Sequence, residues 1–200
     1  MTYARAATKP LTAPLPPSRW SMDADRDRTL VILAIAAKET SMQIRPFEVA
    51  DTEPIIDLSL RAWAPVFAAL EPAVPDYVYE AFYPDGWRPR QDHDIRALLA
   101  DDATDVYVAC IDGAIAGFVG VRLHPEDRMG EIHILAVDPA HQRCGVATAL
   151  IDHALETIRA AGMAIVMVET GDDPGHGASR ATYEHAGFER WPVARYFRKL

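Results

Sequence analysis

The feature that most constrains this chain is the dipeptide Asp112-Gly113, set between two runs of strand-forming residues. A two-residue hairpin turn needs positive φ at both positions, and Asp-Gly supplies them more readily than almost any other pair. The run before it, Asp105–Ile111, and the run after it, Ala114–Leu123, therefore predict antiparallel neighbours. Gly117 and Gly120 inside the second run mark a bulge or a close backbone approach. A third run, Gly130–Val137, follows a polar turn at His124–Arg128 and extends the pair into a meander.

What flanks this meander sets the fold class. Downstream, Val146–Ala161 has helical spacing, Gly162 stops it, and Ala164–Thr170 reads as a strand. A strand–helix–strand passage is a crossover, so the last two strands are expected to run parallel. A further helix over Gly177–Ala186 and a closing stretch, Phe188–Lys199, complete this half. Upstream, Met42–Pro46 predicts a short strand, and Asp51 is placed to cap a helix over Thr52–Leu70 with Pro54 in its first turn. Pro65 predicts an end or a kink in that helix. A short helix is expected over Asp76–Tyr83 and a longer one over Arg90–Ala100. The aromatic residues Tyr77, Tyr79, Phe82, Tyr83 and Trp87 are expected to pack together rather than line a substrate pocket. The predicted fold is mixed α/β: a mostly antiparallel sheet with helices on both faces.

Residues 1–41 differ in character. Pro10, Pro14, Pro16 and Pro17 lie close together among Ala and Thr, a composition that predicts a disordered N-terminal extension. A short helix over Asp23–Lys38 is compatible with the sequence, but its apolar residues are contiguous rather than spaced along one face. Residues 42–200 form the expected functional domain.

The 200 residues are half apolar and carry a net charge of −9, which disfavours a nucleic-acid partner because phosphate contacts need clustered Lys and Arg. The seven histidines show no metal-ligand spacing, so no metal is expected. The longest apolar run, Leu30–Ala37, is too short to span a bilayer, and Asp23, Asp25 and Asp27 before it are unlike a signal peptide. Two cysteines, Cys110 and Cys144, are too few for a disulfide framework, so a reducing, cytoplasmic location is expected.

The chemistry concentrates at residues 138–148. A strand ends at Val137, Asp138-Pro139 turns the chain, and a helix opens after Gly145. The first turn of a helix carries free N–H groups and a positive dipole end, so the loop is an anion seat that Arg143 reinforces. Neither the Walker pattern nor the dinucleotide glycine fingerprint is present, and on this loop alone an ordinary tight turn is an equal reading. Its surroundings carry a resemblance. Gln142-Arg143-Cys144-Gly145-Val146-Ala147 is similar to the Gln/Arg-x-x-Gly-x-Gly/Ala motif of the GNAT N-acetyltransferase superfamily. Glu131–Pro139 resembles that family's fourth strand and following turn, and Tyr183-Glu184-His185-Ala186-Gly187-Phe188 resembles its Tyr-Glu-x-x-Gly-Phe signature. The resemblance extends from about Met42 to Leu200.

What the resemblance implies is an enzyme that takes acetyl-CoA as co-substrate. The loop Gln142, Arg143, Cys144, Gly145, Val146, Ala147 and Thr148 would hold the pyrophosphate. Leu135, Ala136 and Val137 would offer backbone groups to pantetheine in the gap of a splayed parallel strand pair, one amide acting as oxyanion donor. Glu131 matches the family's general base, with a strand-end charge or substrate anchor as the alternative. Tyr183 matches the residue that protonates the departing sulfur, with helix packing as the alternative. His133 alternates with Ile132 and Ile134, so it shares a face with Glu131 and Leu135, as a second base or, preferably, a core histidine. Where many members have Asn and Ala before the signature Tyr, this chain has His176 and Ser179. His176 retains a hydrogen bond for the cofactor, unless it merely shapes its loop or moves a proton. The expected acceptor is a primary amine of a small molecule or peptide; a non-catalytic acyl-CoA sensor is the reading from another class.

Overall fold

The computed structural model describes residues 41–200; the extension expected over residues 1–41, with the helix the sequence allows over Asp23–Lys38, lies outside the described residues except for residue 41. The chain order is β1 (Met42–Pro46), α1 (Thr52–Leu70), α2 (Asp76–Phe82), α3 (Trp87–Leu99), β2 (Thr104–Ile111), β3 (Ala114–His124), β4 (Met129–Val137), α4 (Val146–Ala160), β5 (Ile165–Val168) and α5 (Gly177–His185). The five strands form one sheet in sequence order. Neighbours are antiparallel from β1 to β4, and β5 lies parallel to β4. The hairpin between β2 and β3 turns at Asp112 and Gly113, with φ of 50° and 83° as a two-residue turn requires.

Two apolar layers hold the sheet. On one face α4 presents Val146, Leu150, Ile151, Ala154 and Ile158, a stripe at helical spacing, to Val119, Val121, Ile132 and Val137. On the other, Ile55, Ile56 and Leu58 of α1 and Ile95 and Leu98 of α3 cover Val106, Val108, Phe118 and Ala136. Each such Val, Leu, Ile or Phe side chain, taken fully out of water, contributes about 1.5–3 kcal/mol before entropy is counted.

Several details depart from expectation. α1 continues unbroken through Pro65, because a helix packed along one face tolerates one missing N–H. Asp51 makes no side-chain cap to α1; its carboxylate accepts from the Glu48 amide at 2.8 Å and from the Arg45 guanidinium at 2.7 and 2.8 Å. The nearby arginine outcompetes the helix for a carboxylate almost removed from water. The aromatic residues do pack together: Phe67 stacks on Trp87 at 4.5 Å and meets Tyr83 edge-on at 5.1 Å. Residues 186–200 form no regular element, and Phe197 rests edge-on against Phe82 at 5.9 Å.

The most consequential detail is a bulge. Gly120 pairs with Ile134 and Val121 with Ile132, so His133 is the extra residue in β4. Strict alternation would place Ile132 and Ile134 on one face. Instead Ile132 packs under α4, whereas Ile134 packs against the α1 and α3 layer. His133 therefore shares its face with Glu131 but not with Leu135, which joins the α4 layer.

Candidate active site

The loop between β4 and α4 is held from three directions. Asp138 donates its amide to the Ala116 carbonyl at 2.8 Å, and its carboxylate accepts from the Ala140 amide at 2.9 Å. Arg61 reaches across from α1 and donates to the same carboxylate through Nη2 at 2.5 Å and Nε at 3.1 Å. Burial raises the Asp138 carboxyl; the Arg61 and Ala140 hydrogen bonds overcome it and hold the group below the usual carboxylate range. The Gln142 amide donates to the Val137 carbonyl at 3.3 Å, so this side chain closes the loop on the strand it leaves.

Arg143 and Gly145 then take left-handed backbone, with φ of 62° and 81°. This sharp reversal leads the chain into α4. α4 makes its first hydrogen bond from the Ala149 amide to the Gly145 carbonyl, which leaves the amides of Val146, Ala147 and Thr148 without helical acceptors. Gln142, Arg143, Cys144, Gly145 and Thr148 are exposed, Ala147 is half-buried, and Val146 is buried and anchors the turn. The Cys144 thiol points back to the Gln142 carbonyl at 3.5 Å. The result is an open rim of N–H donors at a helix N-terminus, suited to a phosphate group.

The rim sits at the end of an unpaired strand edge. Pairing between β4 and β5 runs from Met129–Ile165 to Ile132–Val168 and stops there, while β4 continues to Val137 against β3. On the side away from β3, Leu135, Ala136 and Val137 have no strand partner among the described residues. Free backbone groups on such an edge can accept an extended ligand as though it were another strand.

Glu131 occupies the paired part of β4, and both of its oxygens are engaged. Oε1 lies 2.9 Å from His133 Nδ1, and Oε2 lies 2.9 Å from His124 Nε2. Burial raises this carboxyl, and the hydrogen bonds and charge of His133 and His124 more than offset it, so Glu131 stays below its ordinary value. Beyond His133 the polar chain continues: Arg122 Nη1 is 3.2 Å from His133 Nδ1, and Arg122 also donates to Thr104 at 2.7 Å and Asp101 at 2.8 Å. An open cavity of about 490 Å³ lies against this chain, lined by Trp63 of α1, Gln91, Asp94 and Leu98 of α3, and Arg122 and His133 of the sheet. His133 is thus a partly exposed cavity residue rather than a core histidine.

Tyr183, on α5, packs into the layer beneath α4 and meets Phe188 edge-on at 5.9 Å. Burial pushes its hydroxyl up to about 12, so it is a phenol and not a phenolate at any ordinary pH. No hydrogen bond joins it to Glu131 among the described residues. His176 precedes α5 and gives Nδ1 to Asp173 at 2.6 Å, in a turn whose Gly175 abuts the Val66 carbonyl of α1. Its Nδ1 is therefore committed to the loop, leaving Nε2 as the nitrogen open to a ligand.

This arrangement has known counterparts. The model of the Acetyltransferase (GNAT) family matches residues 74–188, more than half of the chain. The protein belongs to the GNAT family. Among curated relatives, a mycothiol acetyltransferase of Saccharopolyspora erythraea is 29% identical over 167 residues, covering 78% of this chain and 52% of that protein. Another, of Beutenbergia cavernae, is 40% identical over 83 residues, covering 42% of this chain and 26% of that protein. The chain thus spans about a quarter to about half the length of the curated relatives it matches. Among solved structures, aminoglycoside N-acetyltransferase AAC(6')-Iy in complex with CoA superposes with a TM-score of 0.57 at 18% identity, over 82% of this chain and 97% of that one. At that identity the likeness speaks to the GNAT fold alone.

Sequence reasoning overlooked two residues of this GNAT site. Arg61 is separated from Asp138 by most of the sheet, and nothing local to α1 singles it out. His124 lay in a segment expected to be a turn, but β3 extends through it and sets it diagonal to Glu131. Among the described residues, no helix is long and apolar enough to cross a membrane.

Proposed function

We propose that the protein transfers an acetyl group from acetyl-CoA to a primary amine by direct attack within a ternary complex. The observation that carries this reading is the amide rim of Arg143–Thr148 set at the end of the unpaired β4 edge, in a chain of the GNAT family. The rim would hold the pyrophosphate, with Gln142 closing the loop. Leu135, Ala136 and Val137 would offer main-chain groups to pantetheine, and His176 Nε2 a further hydrogen bond. Residues 42–200 would suffice for this activity, in a reducing cytoplasmic setting.

The chemistry asks for two proton movements. The acceptor arrives as an ammonium ion and must lose a proton before its nitrogen can attack. We assign that task to the Glu131 cluster. As the C–N bond forms and the C–S bond breaks, the sulfur leaves as a thiolate and takes a proton, for which Tyr183 is the donor. Burial of that phenol keeps it protonated and available as a donor. The mycothiol acetyltransferases among the relatives make amines related to mycothiol a first class of acceptor to try.

Saturating acetyl-CoA should raise the melting temperature; at a hundredfold excess over Kd the gain is about 2.7 kcal/mol, or roughly 5–10 °C for a chain of this size. Thiol release would then be followed over a panel of primary amines that includes amines related to mycothiol. A protein lacking residues 1–40 should behave alike. Absence of both the shift and thiol release would overturn the proposal.

A further inference from the structure

We propose that His133, and not Glu131, takes the proton from the acceptor amine, with Glu131 and His124 as positioning residues behind it. The inference rests on the acetyl-transfer reading and assigns roles within it.

Three observations separate the two groups. First, both Glu131 oxygens already hold a histidine: Oε1 lies 2.9 Å from His133 and Oε2 2.9 Å from His124. Second, exposure is reversed from what a carboxylate base would need, with 15% of the Glu131 side chain accessible against 31% for His133. Third, His133 lines the cavity and Glu131 does not. Alternation sets His133 on the Glu131 face, and the β4 bulge at His133 brings Ile134 to that same face.

The tautomer follows from the partners. Nδ1 faces both Glu131 Oε1 at 2.9 Å and Arg122 Nη1 at 3.2 Å. Arginine can only donate, so one of the two contacts must go unsatisfied. Arg122 already donates to Thr104 and Asp101, whereas the carboxylate oxygen is closer and gains a charge-assisted bond. The proton therefore sits on Nδ1, directed at Glu131, and Nε2 keeps its lone pair on the ring edge left to the cavity. Groups facing His133 are Glu131 beside it, Arg122 from β3, Asp101 from the loop after α3, and Asp94 and Gln91 from α3.

The step balances. The ammonium gives its first proton to Nε2, forming an imidazolium held by Glu131, which then returns that proton to solvent. The free amine attacks the thioester carbonyl, and the C–N bond forms. When the C–S bond breaks, Tyr183 protonates the sulfur, the nitrogen gives its second proton to solvent, and a solvent proton restores the phenol.

The test uses the full chain. His133→Ala and His133→Gln should each lower turnover by about 10²–10⁴-fold, with acetyl-CoA binding unchanged, and added imidazole should restore part of the His133→Ala rate. Glu131→Gln keeps an amide oxygen for Nδ1–H, so its loss should be smaller and imidazole should not rescue it. Retention of activity in both His133 variants with collapse in Glu131→Gln would make the carboxylate the direct base and overturn the proposal. Independently of turnover, nitrogen NMR of histidine-labelled protein, assigned with His133→Gln, should show the Nδ1–H tautomer. An Nε2–H tautomer would also overturn it. A wild-type protein silent toward every amine, yet carrying the Nδ1–H tautomer, would count against acetyl transfer and not against the ring's placement.

Discussion

Gly117→Ala should weaken acetyl-CoA binding from the sheet beneath α4. A Cβ at residue 117 would lie 2.8 Å from the Ala136 carbonyl oxygen, 3.0 Å from Val146 Cγ1 and 3.1 Å from Leu150 Cδ1. Comfortable carbon contacts lie near 3.5–4.0 Å, so relief requires movement of about 0.5–1 Å. The carbonyl belongs to a paired strand, and Val146 and Leu150 are at most 1% exposed, so neither side chain can swing into solvent. What can yield is α4, sliding outward at its first turn. Overpacking of this kind costs about 1–3 kcal/mol, or roughly 3–10 °C in Tm. Val146 opens the helix that carries the amide rim, so the same displacement shifts the amides proposed to hold the pyrophosphate. A loss of about 1.4 kcal/mol in binding is roughly tenfold in Kd. Gly130→Ala supplies the control: its Cβ would collide with Ile158 near the opposite end of α4. Calorimetric melting and isothermal titration with acetyl-CoA read the two effects. Both variants should melt earlier, and only Gly117→Ala should lose affinity. An unchanged Kd for Gly117→Ala, or equal losses in both, would refute the reasoning.

Other outcomes follow from the site. Tyr183→Phe should lower kcat while leaving acetyl-CoA affinity intact, checked by steady-state kinetics with titration. Because burial raises the hydroxyl, its ionisation should impose no alkaline fall in rate below its ordinary value of about 10. Arg61→Ala leaves the almost fully buried Asp138 without its arginine; acetyl-CoA affinity should fall several-fold, as titration would show. Asp51 is held below its ordinary carboxylate value, chiefly by the Arg45 hydrogen bond. A lowered folded-state value gives stability that is complete above about pH 4 and lost as pH falls below it. Asp51→Asn should therefore melt earlier at neutral pH and show a shallower acid decline in a series of Tm measurements.

Much of the fold was legible because its signals are local. Asp112-Gly113 needs only its own backbone preferences to turn, and the α4 stripe needs only helical periodicity. The parallel β5 followed from crossover geometry, and the amide rim from a glycine before a helix. The helix does not end at Pro65, and Asp51 does not cap it, for one reason: tertiary partners outweighed a local rule, packing in one case and Arg45 in the other.

The meander that Asp112-Gly113 opens was thus determined by the sequence itself, along with the loop that follows its last strand. Only the tertiary structure decided which side chains meet there. The extra residue in β4 is invisible to a period-two reading, since a bulge depends on how two strands share hydrogen bonds and not on either sequence alone. That single insertion reverses the facing of Ile134 and Leu135, so Ile134 joins His133 on the cavity wall. The link from Arg61 to Asp138 likewise arises only when α1 lies across the sheet. Residue type and spacing specified the elements; pairing register and packing specified the site.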